Sequence, residues 1–582
     1  MARPGIIRRR VGDSPPARGP FLRRVRAVLE DTSHETLKRQ LLERAKELPA
    51  EERVGFLQML SRGERRSPKK PPAVVADVET FIAALRNDEF ADDPWSDAPE
   101  WVDYFEALVS RATKAFIDGE RTVVVDALGR LLRVFELEYD VAAFYGEEPP
   151  EFRVRSDLGE VLALYLRALY ETTPHQQRAE RLLEELSSLR GLSASRVGLQ
   201  AIMNADAAPL DELDRFLPAW LEILCKLEPD RDDSPLSLRG PLLREATLLF
   251  AGADGLGELA KREGREQPQT YHEWLDALLR ADRREDALAA AREAVGAVED
   301  PWDKARLADR LTNLAVDTGE EDLAIEASVT AWRSRPTLRR LRRLCSVGEP
   351  GRETLRTRLT TEAEAAKRRE VRPSSRLAAV LDLLLGDLSS ALNRLTRARS
   401  LGWSGSEHPG PIVFPVALLA AAELSSPPES SVLAELWDEM DCDFDLDDIP
   451  DDIPDDERTG IDESESVAPR LPSLVSNEPK TLGELLSTAL GDLHLPAGTR
   501  RRVVERMRRL VEKRAEAIVS GKYRGAYARA ARLAAAWTEG ASLAGDPDSG
   551  PAFLRTLCER YPRHSAFKRE INAVASRRIS SR

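Results

Sequence analysis

The 582-residue sequence predicts an all-α protein: an α-solenoid of degenerate helical hairpins interrupted by a disordered acidic insert. Three observations carry that expectation. Hydrophobic residues make up 42% and charged residues 32% of the chain with aromatics at only 6%, and Leu, Ala, Arg and Glu dominate, a composition of helix formers rather than of a disordered chain. Apolar residues recur at helical spacing in one segment after another, separated by short Gly, Pro or Asp punctuation. The net charge of −14 has an address, because residues 438–465 hold fifteen acids and one base, Arg458, and the rest of the chain balances at 85 of each. Whole-chain acidity therefore does not exclude an acidic partner such as nucleic acid.

Residues 1–19 are rich in Pro, Gly and Arg and lack hydrophobic periodicity, so a flexible basic arm carrying Arg8, Arg9 and Arg10 is expected. Residues 20–60 form a small helical unit. Its second helix opens on a capping-box pattern, Thr32 with Glu35, and ends at Pro49. A basic, Pro-rich linker covers 61–73. Residues 74–424 are the predicted solenoid, 425–480 the acidic linker and 481–582 a C-terminal helical block. Within the linker, 432–437 reads as one short helix before the text turns Asp-rich.

The solenoid rests on a repeated turn. Asp282-Arg-Arg-Glu-Asp-Ala287, Gly319-Glu-Glu-Asp-Leu-Ala324 and Gly386-Asp-Leu-Ser-Ser-Ala391 each place a small residue after a polar turn, and Gly119 opens a weaker echo. This is the turn signature of tetratricopeptide-like hairpins, in which the small residue lets two helices approach. One hairpin cannot bury its apolar face alone, so neighbours must stack. Two segments carry a resemblance. The run 283–344, ending Ala331-Trp-Arg-Ser-Arg-Pro-Thr-Leu-Arg-Arg-Leu341, is similar to the helical-repeat regions that accompany SWIM zinc fingers in bacterial proteins. So is 511–571, with Tyr523-Arg-Gly-Ala-Tyr-Ala-Arg-Ala-Ala-Arg-Leu533 and Arg560-Tyr-Pro-Arg-His-Ser-Ala-Phe567. The resemblance implies repeat architecture only. The finger's CxC and CxH are absent, since Cys225, Cys345, Cys442 and Cys558 are solitary, so neither zinc nor the finger's nucleic-acid role carries over.

No cofactor is expected, and three features are candidates for binding. The loop 401–410 concentrates Trp403, Glu407 and His408, either as ligand or peptide contacts or as an inter-repeat loop pinned by a buried Trp; its Gly402-Trp-Ser404 lacks the strand that a nucleophile elbow needs. Arg339, Arg340, Arg342 and Arg343, with Arg8, Arg9 and Arg10, form basic patches able to neutralise phosphates, or equally the solvated faces of amphipathic helices. The acidic insert threads apolar teeth through Asp443, Phe444, Asp445, Leu446, Asp447 and Asp448, which suits a linear docking motif; the alternating acids resemble the start of an EF-hand, but Leu446 stands at the glycine position.

The cysteine pattern and the lack of an apolar segment after Arg8–Arg10 predict a cytoplasmic protein, and the resemblance implies one of bacterial type. No membrane association is expected, the most apolar stretch, 412–422, being too short to span a bilayer. The leading expectation is a non-enzymatic scaffold that binds an unidentified protein. The alternative is a nucleic-acid-associated accessory protein using the Arg-rich patches and modulated by the insert; an enzyme ranks third.

Overall fold

The computed structural model describes residues 73–87, 90, 100–136, 153–189, 192, 197–229, 238–368, 371–403, 405, 407–445 and 480–577. The basic arm with Arg8, Arg9 and Arg10, the 20–60 unit and nearly all of the 61–73 linker lie outside these residues. Among the described residues there are 23 α-helices and no strand, so the all-α class with a repeat-like arrangement of helical hairpins holds. The chain divides at Ala277/Leu278 into two compact units, within the helix Gln269–Arg280.

The first unit comprises α1 (Ala73–Arg86), α2 (Glu100–Ile117), α3 (Arg121–Leu132), α4 (Leu158–Thr172), α5 (Arg178–Ser188), α6 (Leu199–Asn204), α7 (Leu213–Lys226), α8 (Arg239–Glu263) and the start of α9 (Gln269–Arg280). Its centre is α4. Asp157 caps it by accepting from the Gly159 and Glu160 N–H groups, and all of 161–170 is buried, so α4 packs on every side. α3 comes close because Gly129 has no Cβ; one built there would meet the Tyr165 ring at 3.0 Å. Burial and the hydrogen bond with Glu185 hold the Tyr165 phenol far above its usual range. Arg133 and Arg181 supply the countercharge to that buried carboxylate.

α8 is two helices in one. Gly252 adopts φ 66° and ψ −159°, a conformation essentially reserved for glycine, and the chain doubles back there. The proof is at the ends: Arg239 Nη1 and Nη2 donate to the two Glu263 carboxylate oxygens at 2.9 and 3.1 Å. A straight helix would hold these residues about 36 Å apart. Burial raises the Glu263 carboxyl, but the hydrogen bonds and charge of Arg239 and then Arg262 outweigh it and the net shift is downward.

The second unit holds the rest of α9, then α10 (Arg284–Ala297), α11 (Pro301–Thr318), α12 (Glu321–Ser334), α13 (Leu338–Ser346), α14 (Arg352–Ala366), α15 (Ser375–Leu384), α16 (Leu388–Arg397), α17 (Gly410–Ala422), α18 (Val432–Asp445), α19 (Leu482–Gly491), α20 (Ala497–Ser520), α21 (Tyr527–Leu543), α22 (Ser549–Arg560) and α23 (Ser565–Arg577). The three turns expected from sequence share one geometry. Asp282, Gly319 and Gly386 are left-handed at φ 55°, 76° and 79°. Each donates its N–H three residues back, while the next residue reaches five back, as in Glu320 N to Ala315 O at 2.8 Å. This Schellman closure satisfies the last carbonyls of each helix. Gly119 in the first unit, and Glu423, Lys522 and Gly545 in the second, repeat it. Ala287, Ala324 and Ala391, five residues past three of these turns, are at most 1% exposed. Gly550 holds that place after Gly545, where a Cβ would lie 2.3 Å from Thr538 Cγ2.

α17 is apolar all round and eleven of its thirteen residues are buried. It packs against α15, α16, α18, α19, α20 and α21. The apolar stretch 412–422 is thus a core helix, and among the described residues no helix is long and apolar enough to cross a membrane. One core runs from Trp332 to Ile571. The 481–582 block is therefore part of the same unit as the hairpins before the acidic stretch. The short helix expected at 432–437 is present and runs further. α18 occupies 432–445, with Leu433, Trp437 and Met440 buried at helical spacing, Glu439 paired with Arg532, and the Leu433 N–H bonded to Glu539. The acids after Trp437 conceal its continuation to Asp445. Asp443, Phe444 and Asp445 fall in its last turn; Leu446, Asp447 and Asp448 lie outside the described residues.

Candidate functional site

The loop 399–410 joins α16 to α17, and Trp403 anchors it at 7% exposure. The indole stacks on His408 with centroids 5.5 Å apart, meets Phe414 edge-on at 5.7 Å and lies 4.9 Å beneath the Arg514 guanidinium of α20. Gly410 is required here, since a Cβ would stand 2.5 Å from the indole. His408 is fully engaged. Its Nε2 meets the Arg399 carbonyl at 2.9 Å, and its Nδ1 accepts from the Gly410 N–H at 2.9 Å. These roles assign the neutral Nε2–H tautomer. Burial first, then the positive charges of Arg514 and Arg376, hold the imidazole pKa below its ordinary value, against the opposing Arg399 hydrogen bond.

Arg514 donates from Nη1 to the Ser400 carbonyl at 2.9 Å, and its Nε has no partner among the described residues. Burial, with Arg529 adding repulsion, lowers its pKa to about 10. Arg376, also buried, donates to the His408 carbonyl at 3.1 Å. The loop is therefore a clamp fixing the start of α17 to α20. Of the three expected contacts, Trp403 and His408 face inward together and only Glu407 is exposed. Ser404 and Ser406 lie outside the described residues.

The arginine patch on α13 is divided by its environment. Arg340 is buried and binds Asp309 of α11, with Nε and Nη2 at 2.9 and 2.8 Å from Oδ2. Arg343 donates to the Asp309 carbonyl at 3.3 Å. Arg342 Nε donates to the Lys480 carbonyl at 2.9 Å, and the Lys480 N–H bonds Ser346 Oγ at 3.2 Å. Arg339 is exposed. The expected cluster of four thus includes one structural ion pair, two half-buried tethers and one open cation. Arg333, at the head of the same run, is committed to the buried Glu362. On α20, Arg506 is similarly used, donating to Leu392 O, Asn393 and Thr396 of α16.

Sequence reasoning missed the Arg239–Glu263 pair, whose local signal is the glycine cluster at 252–257, and Gly550, which holds the small-residue place after Gly545. Among the described residues no group of three or more His, Cys, Asp or Glu side chains could hold a metal ion.

No family model matches the chain, and no curated protein matches it. Among solved structures it is similar to a circular tandem repeat protein with novel repeat topology and enhanced subunit contact surfaces, at 15% identity over 96% of this chain and 99% of that one, with a TM-score of 0.16. A score that low carries no argument about fold or function.

Proposed function

We propose that the chain is a non-enzymatic helical-repeat scaffold that binds protein in a reducing cytoplasm. The observation that carries this reading is the sevenfold use of one helix-terminating turn, with a buried small residue following several copies. Modules closed in the same way stack side by side and offer an extended surface, the property on which repeat proteins rely. The internal use of Arg340, Arg333, Arg506 and Arg514 supports the same reading, because charges committed to holding helices are withdrawn from phosphate binding. Affinity purification of the full chain from its native host tests it. A protein enriched over a mock bait and resistant to nuclease is expected; enrichment abolished by nuclease would favour the nucleic-acid reading instead.

That second reading keeps one observation, the open Arg339 beside Arg342 and Arg343. Its test is nucleic-acid binding after the acids of 447–465 are neutralised. A deletion beginning at 438 is unsuitable, since it would cut α18.

A further inference from the structure

The outward row of α13 is largely arginine, with Arg339 exposed and Arg342, Arg343 and Ser346 half-buried. Arg339, Arg342, Arg343 and Ser346 stand at i, i+3, i+4 and i+7, while Leu338, Arg340, Leu341, Leu344 and Cys345 point into the protein. No acid occurs from 333 to 343, and Asp309 of α11 meets this helix, shared by Arg340 and Arg343. At the C-terminal end of the same face, Ser346 and Arg342 hold Lys480 through the two backbone hydrogen bonds already described. Lys480 is where the chain re-enters the described structure after the acidic stretch, and it leads directly into α19. The stretch departs from α18, which also packs against α19.

We propose that this arginine face is the docking surface for the chain's own acidic segment, residues 447–465. Two independent observations converge on it. The first is charge complementarity: the segment holds Asp447, Asp448, Asp451, Asp452, Asp455, Asp456, Glu457, Asp462, Glu463 and Glu465 against Arg458 alone. The second is position, since the chain that carries those acids is pinned to the very helix that displays the arginines. The acids nearest the pin, Asp462, Glu463 and Glu465, lie within twenty residues of Lys480, more than enough chain to cover a nine-residue helix. Joining ligand and site in one chain makes their encounter intramolecular, with an effective concentration of about millimolar order for a short tether. Arg339 and Arg342 read the carboxylates, and the contact weakens as salt rises. This inference stands apart from whatever protein the scaffold binds.

The test uses the full chain with the acids of 447–465 changed to serine and a fluorescein-labelled peptide of residues 443–465, followed by anisotropy at low salt. The neutralised chain is expected to bind the peptide roughly tenfold or more tightly than the wild type, whose own segment competes. Arg339→Glu with Arg342→Gln should remove that binding, and Arg501→Glu with Arg502→Gln, a matched change on the exposed face of α20, should leave it intact. Arg339→Ala, which touches no tether, should weaken binding in the same direction and guards against a folding defect. Failure of the neutralised chain to bind, equal binding by the wild type, or equal loss from the α20 pair would each overturn the proposal.

Discussion

Gly252→Ala isolates the fold-back of α8. A Cβ at this position meets nothing within 4 Å, so the substitution adds no clash and its penalty is conformational. Holding a non-glycine residue at φ 66° and ψ −159° costs about 1–3 kcal/mol. The variant could instead straighten the helix, which alanine favours by about 1 kcal/mol over glycine. Straightening would pull Arg239 from Glu263 and leave a guanidinium of only 6% exposure without its carboxylate, a loss of about 3–5 kcal/mol. The bent form therefore wins and carries the strain. Amide hydrogen exchange on peptides spanning 239–263 reads it directly, and opening should become roughly 5- to 150-fold more frequent. Gly252→Ser should match alanine, because the cost lies in the backbone. Unchanged exchange for alanine, or a penalty that grows with side-chain size, would refute this account.

Ala324→Trp should wedge α12 away from α11 and lower stability by about 1–3 kcal/mol in a denaturant melt, since its site is 1% exposed. Gly550→Ala should destabilise the α21–α22 contact by a similar amount, about 1–3 kcal/mol. Adding Thr538→Ser, which removes the obstructing methyl yet keeps the hydroxyl that donates to Ala534 O, should restore much of the loss in the same melt. His408 should make the 399–410 clamp acid-sensitive. Its folded pKa lies below the ordinary 6.5, so its contribution is full above that pH and is lost as pH falls through the folded value. Exchange or tryptophan fluorescence at Trp403 followed from pH 8 to 5 should show this, and His408→Gln should flatten the profile.

The hairpin turns were legible where the chain spelled them with Gly or Asp and an alanine five residues on. They were illegible at Glu423 and Lys522, which hold the left-handed conformation that side chains disfavour, at φ 57° in both cases, with nothing local to announce it. The first half of α18, 432–437, was legible and its continuation was not: Asp438 and Glu439 sit between Trp437 and Met440, and the run of acids beyond them masks the helical spacing. The 401–410 loop was legible as a Trp-pinned connection. Its true partner, Arg514, stands more than a hundred residues downstream and belongs to tertiary packing alone. Arg339, Arg340, Arg342 and Arg343 looked equivalent in sequence because their partners lie elsewhere in the chain, Asp309 for Arg340 and Arg343 and Lys480 for Arg342.

The wholly apolar α17 sets an order of assembly. Its residues leave the ribosome well before the helices that cover it: α20 begins at Ala497 and α21 ends at Leu543, on the far side of the acidic stretch. At about 5–20 residues per second, the interval between Ala422 and Leu543 is roughly 6 to 24 seconds. Throughout that time a thirteen-residue greasy helix lacks two of its principal neighbours. A nascent chain stalled or truncated in the acidic stretch would carry this exposed surface permanently. The strongly charged residues that emerge directly after α18 are then the solubilising flank of an unfinished core, in place during synthesis before they have any other duty.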